Sequence, residues 1–511
     1  MIMVDIVFLR YFYVYGNHYL NSDPGSEILL ANLLNKTGEI FSKRWYYSTE
    51  IRLIDIAMIY RIGLRLFNSW HSVRCFAITL ALAMLQISAI YMVRTLGLKK
   101  TAPIFAAILA IPFSEHYMFL VAYGCVYSGH IVLAFLQLGL AIRCARDRAV
   151  GQQAIRYIAL LLIGVISGLH GIRMLMLVGL PYILATCIIA LNSAKKYDLK
   201  SIWDMEEGRL ILGSVATFAG LICGYLINAK ILASIFYFKT YDDTLLLPFL
   251  MDSFIRQFQF FIEMLGYTNG ILFTSVEGIG SILSIFLCII MFALGAVQVA
   301  RIYKNQLSPE KMIGNAFIIL AVVCGMLINS TTGKGLYGEA SAVAYYFIGF
   351  LLMITLIFQY IEKSEFQIPG IKTLLSIATV GVFFINGYNT VQINLHGWEN
   401  PIESAAYWLD ENGYTKGFAT FWNGNVLTEA TDGRVEVWVL EDRGEKFAVY
   451  KWLQEVSHSE ELPKDEVFFV AQNYEVEAHP ELFTEERKVF EADGIMVFLF
   501  HSANEIPIVA N

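Results

Sequence analysis

Residues 21–68 read NSDPGSEILLANLLNKTGEIFSKRWYYSTEIRLIDIAMIYRIGLRLFN. The stretch lies between a short apolar segment and a long series of hydrophobic runs. Two helices are expected in it. The first covers 24–35, with Asp23 as its N-cap and Pro24 at the first helical position. The second covers 49–67, where Arg52, Asp55, Arg61 and Arg65 interleave with Leu53, Ile54, Ile56, Ile59, Ile62 and Leu66. That pattern suits a helix lying along a membrane surface. Between the two sit an aromatic cluster, Trp45, Tyr46 and Tyr47, and the acids Glu39 and Glu50; Asp23 and Glu27 open the first helix.

Outward from this loop the chain reads as a membrane protein. Hydrophobic residues make up 57% of its 511 residues, above the usual soluble level of roughly half. Apolar runs predict spans near 72–94, 102–113, 125–142, 154–168, 172–192, 209–231, 279–300, 312–329, 340–360 and 371–387. Residues 1–19 carry Asp5 and Arg10 and lack a signal peptide's pattern. Read as a shortened first span, they bring the total to about eleven. The 232–277 connection is aromatic and amphipathic, and reads as an interfacial lid or lipid-contacting helix.

Lys and Arg collect in alternate connections, among them Arg94, Lys99, Lys100, Arg143, Arg146, Lys195, Lys196, Arg301 and Lys304. The other short connections, 114–124, 167–173 and 329–339, hold only Arg173 and Lys334. The positive-inside rule then puts the N-terminus in the cytoplasm and the 21–68 loop outside. The net charge of −7 gives no reason to expect a nucleic-acid partner. The seven cysteines sit in or beside apolar runs with no CxxC spacing, which reads as helix filler.

Beyond residue 388 the hydrophobic runs stop. A helix is expected over 401–412, and GFATF, RVEVWVL, EVFFVA and IMVFLF alternate as strands do. The Asp-Gly pairs at 432–433 and 493–494 mark turns. The expected architecture is therefore an all-α polytopic membrane bundle, residues 1–387, followed by a soluble extracytoplasmic α/β domain, residues 388–511. In the latter, Trp422, Asn423 and Asn425 stand beside a strand end, either as a capped turn or as a polar ligand site.

Several residues could carry chemistry. Asp23 is a helix cap or a base. Glu27, one turn on, is a first-turn acid favoured by the helix dipole or a partner on the same face. Glu50 caps the second helix or binds a sugar hydroxyl. Tyr47 suits an interface belt or a stacking contact. Glu115 and His116 lie on the next external loop. Arg173 and Lys334 are cations placed to hold an anion, or residual topology charges. His130 and His170, near the external face, are satisfied helix histidines or hydrogen-bond a substrate.

An acid just after the first span, two amphipathic helices, many spans and a C-terminal soluble domain together resemble the glycosyltransferase C superfamily, which includes protein O-mannosyltransferases and aminoarabinose transferases. NSDPGSEILLANLL, WYYSTEIRL and PFSEHY are similar to a Firmicute subgroup of that type. The resemblance implies a bacterial membrane enzyme that moves a sugar from a polyprenyl-phosphate carrier to an envelope glycan, lipid or protein. It implies Asp23 as the base and Glu115 as a second acid, with room for a divalent metal but no required cofactor. Arg173 and Lys334 would face the donor phosphate, and Glu27, Tyr47, Glu50, His116 and His170 would line the substrate. The C-terminal domain would tune acceptor choice. The rival reading is a transporter or flippase of an envelope lipid. Against it, no internal repeat is visible, and the acids gather in loops rather than at mid-membrane.

Overall fold

The structure, a computed structural model, describes residues 1–146, 150–195, 201, 203, 205–239, 246, 248, 251–332, 345–363, 370–395 and 400–509. Its N-terminal part is helical: α1 Ile2–Tyr15, α2 Ser22–Thr37, α3 Ile56–Gly63, α4 Trp70–Thr95, α5 Ala102–Ile108, α6 Ser128–Arg146, α7 Val150–Leu169, α8 Ile172–Ala194, α9 Glu206–Ser234, α10 Met251–Glu263, α11 Val276–Tyr303, α12 Pro309–Thr331, α13 Phe347–Lys363 and α14 Ile371–Leu395. Among the described residues, eight helices are long and apolar enough to cross a bilayer: α4, α6, α7, α8, α9, α11, α12 and α14. The other expected spans are shorter. α1 has 14 residues, α5 has 7 and α13 has 17. The expected start of the last, at 340, lies outside the described residues.

Without a hydrophobic drive between helices in lipid, close backbone contact has to come from small side chains. The α7–α9 pair shows it. A Cβ on Gly168 would come within 2.2 Å of the Leu221 carbonyl oxygen, and one on Gly224 within 2.0 Å of that of Val165. Helix α10, from the 232–277 connection, buries Ser253, Gln257, Phe260 and Phe261 and exposes Met251, Ile255 and Phe258. Tyr346 donates to Gln257 at 2.5 Å on the buried side.

The 21–68 loop departs from expectation at both helix starts. Asn21, not Asp23, caps α2; its side chain accepts from the Asp23 N–H at 3.1 Å. The second helix does not begin at Thr49. Asp55 caps it, and α3 runs only from Ile56 to Gly63. Between the helices, β1 (Tyr46–Tyr47) pairs in parallel with β2 (Tyr237–Phe238). Glu50 therefore caps nothing.

After α14, α15 (Pro401–Glu411) and α16 (Phe421–Ala430) flank a sheet of β3 Lys416–Thr420, β4 Glu436–Asp442, β5 Phe447–Val449, β6 Val467–Gln472, β7 Lys488–Ala492, β8 Ile495–Phe500 and β9 Ile508–Val509. Its order is β7-β8-β6-β3-β4-β5-β9. β3 lies parallel to β4 and β6. The four expected strands are present; β5, β7 and β9 are additions. Asp493 and Gly494, both at positive φ, turn the chain from β7 into β8, as an Asp-Gly hairpin requires.

The sheet domain is fastened to the loop. α16 lies on α2 so closely that a Cβ on Gly25 would be 3.2 Å from Glu429 Oε2 and 3.4 Å from the Asn425 carbonyl. Arg74 of α4 pairs with Glu429, its Nε donating to Oε1 at 2.5 Å, and both side chains are almost wholly buried. Its guanidinium also faces the rings of Tyr60 and Tyr123, at 5.4 and 5.3 Å. Breaking a buried pair by removing one partner strands the other charge, at a cost of about 3–5 kcal/mol. Glu429→Ala should therefore lower the thermal unfolding midpoint of the detergent-solubilised protein sharply, while Arg434→Ala, which breaks the exposed Arg434–Asp410 pair, should barely move it. Equal midpoints for the two variants would contradict this.

Candidate active site

The backbone around Asp23 is tied down at several points. Ser26 Oγ donates to the Asp23 carbonyl at 2.6 Å, and Arg74 Nη2 donates to the Pro24 carbonyl at 3.2 Å. Ser22 Oγ accepts from the Val426 N–H of α16 at 3.4 Å. The Asp23 carboxylate itself is half-buried and makes no hydrogen bond or ion pair among the described residues. Burial pushes its pKa up to about 6, against the pull of the Arg52 cation. With Asn21 doing the capping, this carboxylate is left available for chemistry.

One turn on, Glu27 belongs to a charge cluster held by a single guanidinium. Arg52 Nη2 donates to Glu27 Oε1 at 2.6 Å, Nε reaches Asp55 Oδ2 at 3.0 Å, and Nη1 donates to the Val126 carbonyl at 3.1 Å. The Arg52 fork thus joins α2, the lead-in to α3 and the turn before α6. Burial works against the Arg52 cation, but Asp55, Glu27 and Glu50 hold its pKa above the ordinary arginine value. Burial and the adjacent Asp55 carboxylate push Glu27 up to about 8. Two acids share one cation, so the cluster is short of positive charge and ionising both carboxylates is disfavoured. A cavity of about 30 Å³ opens beside Ser26, Glu27, Tyr47, Glu50, Arg52 and Asp55. That is room for a water or two and not for a sugar ring.

Glu50 sits on the far side of Arg52. Thr49 Oγ1 donates to it, and a Cβ on Gly171 would stand 3.2 Å from Glu50 Oε2. Gly171 is at φ +82°, a conformation that glycine supplies without strain. It brings the 170–173 turn against the first loop. Arg173 follows, its guanidinium between the rings of Tyr127 (4.7 Å) and Tyr345 (5.1 Å) and within electrostatic reach of Glu50. His130 and His170 lie edge to face beside it, ring centroids 4.7 Å apart. Both are buried, and their four ring nitrogens have no hydrogen-bond partner, so neither is the satisfied helix histidine that position alone suggested. Burial, followed by the Arg52 and Arg173 cations, lowers His170 to about 3, so it is neutral at any working pH.

The structure thus brings Asp23, Glu27, Glu50, His170 and Arg173 around Arg52. Glu115 and His116 stand apart from that group. Glu115 is exposed at the start of a short turn capped by Ser114, and neither it nor His116 bonds to the cluster among the described residues. Tyr47 is buried and borders the small cavity beside Glu27, its hydroxyl accepting from the Ser42 N–H at 2.9 Å and its ring against Phe236 and Phe238. Lys334 lies outside the described residues. No group of three or more potential metal ligands occurs among the described residues. Sequence reading missed Arg52 and Asp55 as site residues, and missed the Arg74–Glu429 pair that holds the backbone beside Asp23. Asn423 and Asn425 are both bonded within the sheet domain, to Gln472 and to the Leu453 carbonyl.

No family model and no curated protein matches the sequence. Among solved structures, the chain is similar to ArnT from Cupriavidus metallidurans bound to undecaprenyl phosphate, at 11% identity over 99% of this chain and 98% of that one, with a TM-score of 0.51. It is also similar to the Archaeoglobus fulgidus oligosaccharyltransferase in complex with Zn and sulfate, at 14% identity over 85% of this chain, with a TM-score of 0.49. The chain spans 62% of the length of that enzyme. The chain shares the fold of that ArnT structure: a bundle with eight helices long and apolar enough to cross a membrane among the described residues, followed by a C-terminal sheet-containing domain.

The raised Asp23 value can be measured on the resting protein. Infrared difference spectra of the carboxyl band during pH titration should show one carboxylate protonating near pH 6, and Asp23→Asn should lose that component. An Asp23 component titrating near the ordinary value of about 4 would show that burial does not govern this group.

Proposed function

We propose that this protein is an integral membrane glycosyltransferase that moves a sugar from a polyprenyl-phosphate carrier to an envelope acceptor on the external face. On this reading residues 1–387 are the membrane-embedded transferase domain and 388–511 an extracytoplasmic α/β domain, with the N-terminus in the cytoplasm. The observation that carries it is Asp23: a carboxylate at the head of a loop helix, freed from capping and fixed by its backbone. The similar ArnT structure holds undecaprenyl phosphate, which supports a lipid-linked donor.

The transfer needs a base for the acceptor hydroxyl and a cation for the leaving phosphate. Asp23 takes the hydroxyl proton as the acceptor oxygen bonds to the anomeric carbon. The bond from that carbon to the phosphate oxygen breaks, and its electron pair leaves with the polyprenyl phosphate. A base with a pKa near 6 is ionised at neutral pH yet holds a proton more firmly than an ordinary aspartate. Arg173, its guanidinium held between two aromatic rings, supplies a planar fork for the phosphate oxygens. Glu50, His170 and Glu27 then line or support the same region.

Asp23→Asn separates the base from a structural role, because the cap belongs to Asn21 and stays. The variant should fold, bind donor and lose about two to four orders of magnitude in turnover; near-normal transfer by a well-folded variant would remove Asp23 from the mechanism. In the native enzyme the rate should climb as pH rises through about 6, since only the ionised form accepts a proton. Arg173→Lys keeps the charge but loses the fork, so donor binding should weaken by roughly 1–3 kcal/mol. Unchanged donor affinity in both the Lys and Ala variants would place the phosphate elsewhere.

A further inference from the structure

The C-terminal end of α3 carries features the transfer reading does not use. Met58, Ile62 and Leu66 follow one another at helical spacing and, with Arg61 and Arg65, line a shallow groove of about 360 Å³. Helical turns continue past Gly63, with the N–H groups of Leu66 and Phe67 both bonded to the Gly63 carbonyl. Ile62 and Leu66 are 51% and 63% exposed, a large apolar surface for a segment bearing two arginines. The arginines stand four residues apart, on one face. Arg61 donates to the Leu34 carbonyl at 3.4 Å, and Arg65 Nε donates to Asn35 Oδ1 at 3.2 Å. Both acceptors are neutral. Neither guanidinium has a carboxylate partner among the described residues.

We propose that this groove binds an anionic phospholipid of the surrounding bilayer. The headgroup phosphate lies on Arg61 and Arg65, and an acyl chain runs along Met58, Ile62 and Leu66. Three observations select this occupant. α3 leads directly into the span α4, which puts it at the bilayer edge. The two cations, without an acid partner among the described residues, complement a phosphate, and guanidinium forks match its oxygens. Met58 also borders the small cavity beside Glu27, but the arginine end of the groove is far from the proposed base: Arg61 and Arg65 reach Leu34 and Asn35, at the far end of α2 from Asp23, roughly 16 Å along the helix at 1.5 Å per residue. That separation assigns the groove to a bilayer lipid rather than to the lipid-linked donor. A lipid here would brace the end of α2 remote from Asp23. The proposal rests on the membrane fold and holds whether or not the protein transfers sugar.

The test uses the full-length protein in nanodiscs of phosphatidylcholine mixed with phosphatidylglycerol, with native mass spectrometry reading the retained lipid. The wild type should retain phosphatidylglycerol over phosphatidylcholine. The double variant Arg61→Gln, Arg65→Gln should lower phosphatidylglycerol affinity about thirtyfold, the sum expected for two basic residues at a membrane surface. The double lysine variant should keep most of the preference. Asp23→Asn should bind phosphatidylglycerol as the wild type does, so loss of the transfer mechanism leaves this result standing. Unfolding midpoints check that each variant is intact. Equal retention of the two lipids by the wild type would overturn the proposal. So would an unchanged preference in the folded glutamine variant, or displacement of phosphatidylglycerol by added undecaprenyl phosphate, which would give the groove to the donor instead.

Discussion

The Arg74–Glu429 pair is the interaction on which the arrangement of the site depends. Arg74 belongs to a span and Glu429 to the C-terminal sheet domain, and the same guanidinium donates to the carbonyl of Pro24. Three parts of the chain meet at one buried cation. Such a pair adds little net stability, because desolvation of both ions offsets their attraction. What it supplies is a unique geometry: no other described carboxylate reaches Arg74, and an unpaired charge at that depth is costly. The backbone of residues 22–25 is thereby fixed from two sides, by Arg74 below and α16 above.

That fixation explains how a carboxylate can sit half-buried with no partner. A loop helix with freedom to move would turn Asp23 into water, where its pKa would be ordinary. Here Asn21 closes the first turn, Ser26 holds the Asp23 carbonyl, and Gly25 is pressed against α16. Arg52 could have neutralised Asp23 but is committed to Glu27 and Asp55. The cation lowers the Asp23 pKa only at a distance, and burial wins. The shortage of positive charge is thus shared: Glu27, on the cation, is pushed up to about 8, and Asp23, off it, to about 6.

The fold was legible where a segment's own periodicity decides it. Long apolar runs gave the spans, and IMVFLF gave β8 to the residue. β5 and β9 have three and two residues, too few for any period to show. The cap of α2 could not be chosen from the sequence, because Asn and Asp are nearly equal caps and Asn21 and Asp23 are two residues apart. Arg52 and Asp55 read as the polar face of a helix expected from 49, which in fact starts only at Ile56. Their importance comes from burial by segments far along the chain, such as the turn at Val126. Glu429 carried no signal, since its partner lies 355 residues away.

The sheet domain's part in the site follows from the same contacts. Read alone, a domain beyond the last span with no acid–base pair suggests an accessory that selects acceptors. In the structure its helix α16 supplies the surface on which α2 rests, Leu453 of the same domain lines the cavity beside Glu27, and Phe421 shares a core with Leu30, Leu33 and Leu34 of α2. A domain that only selected acceptors would touch substrate and little else. This one touches the backbone on either side of Asp23, at Ser22 and Gly25, so its attachment and the placement of that carboxylate are linked through the first turn of α2.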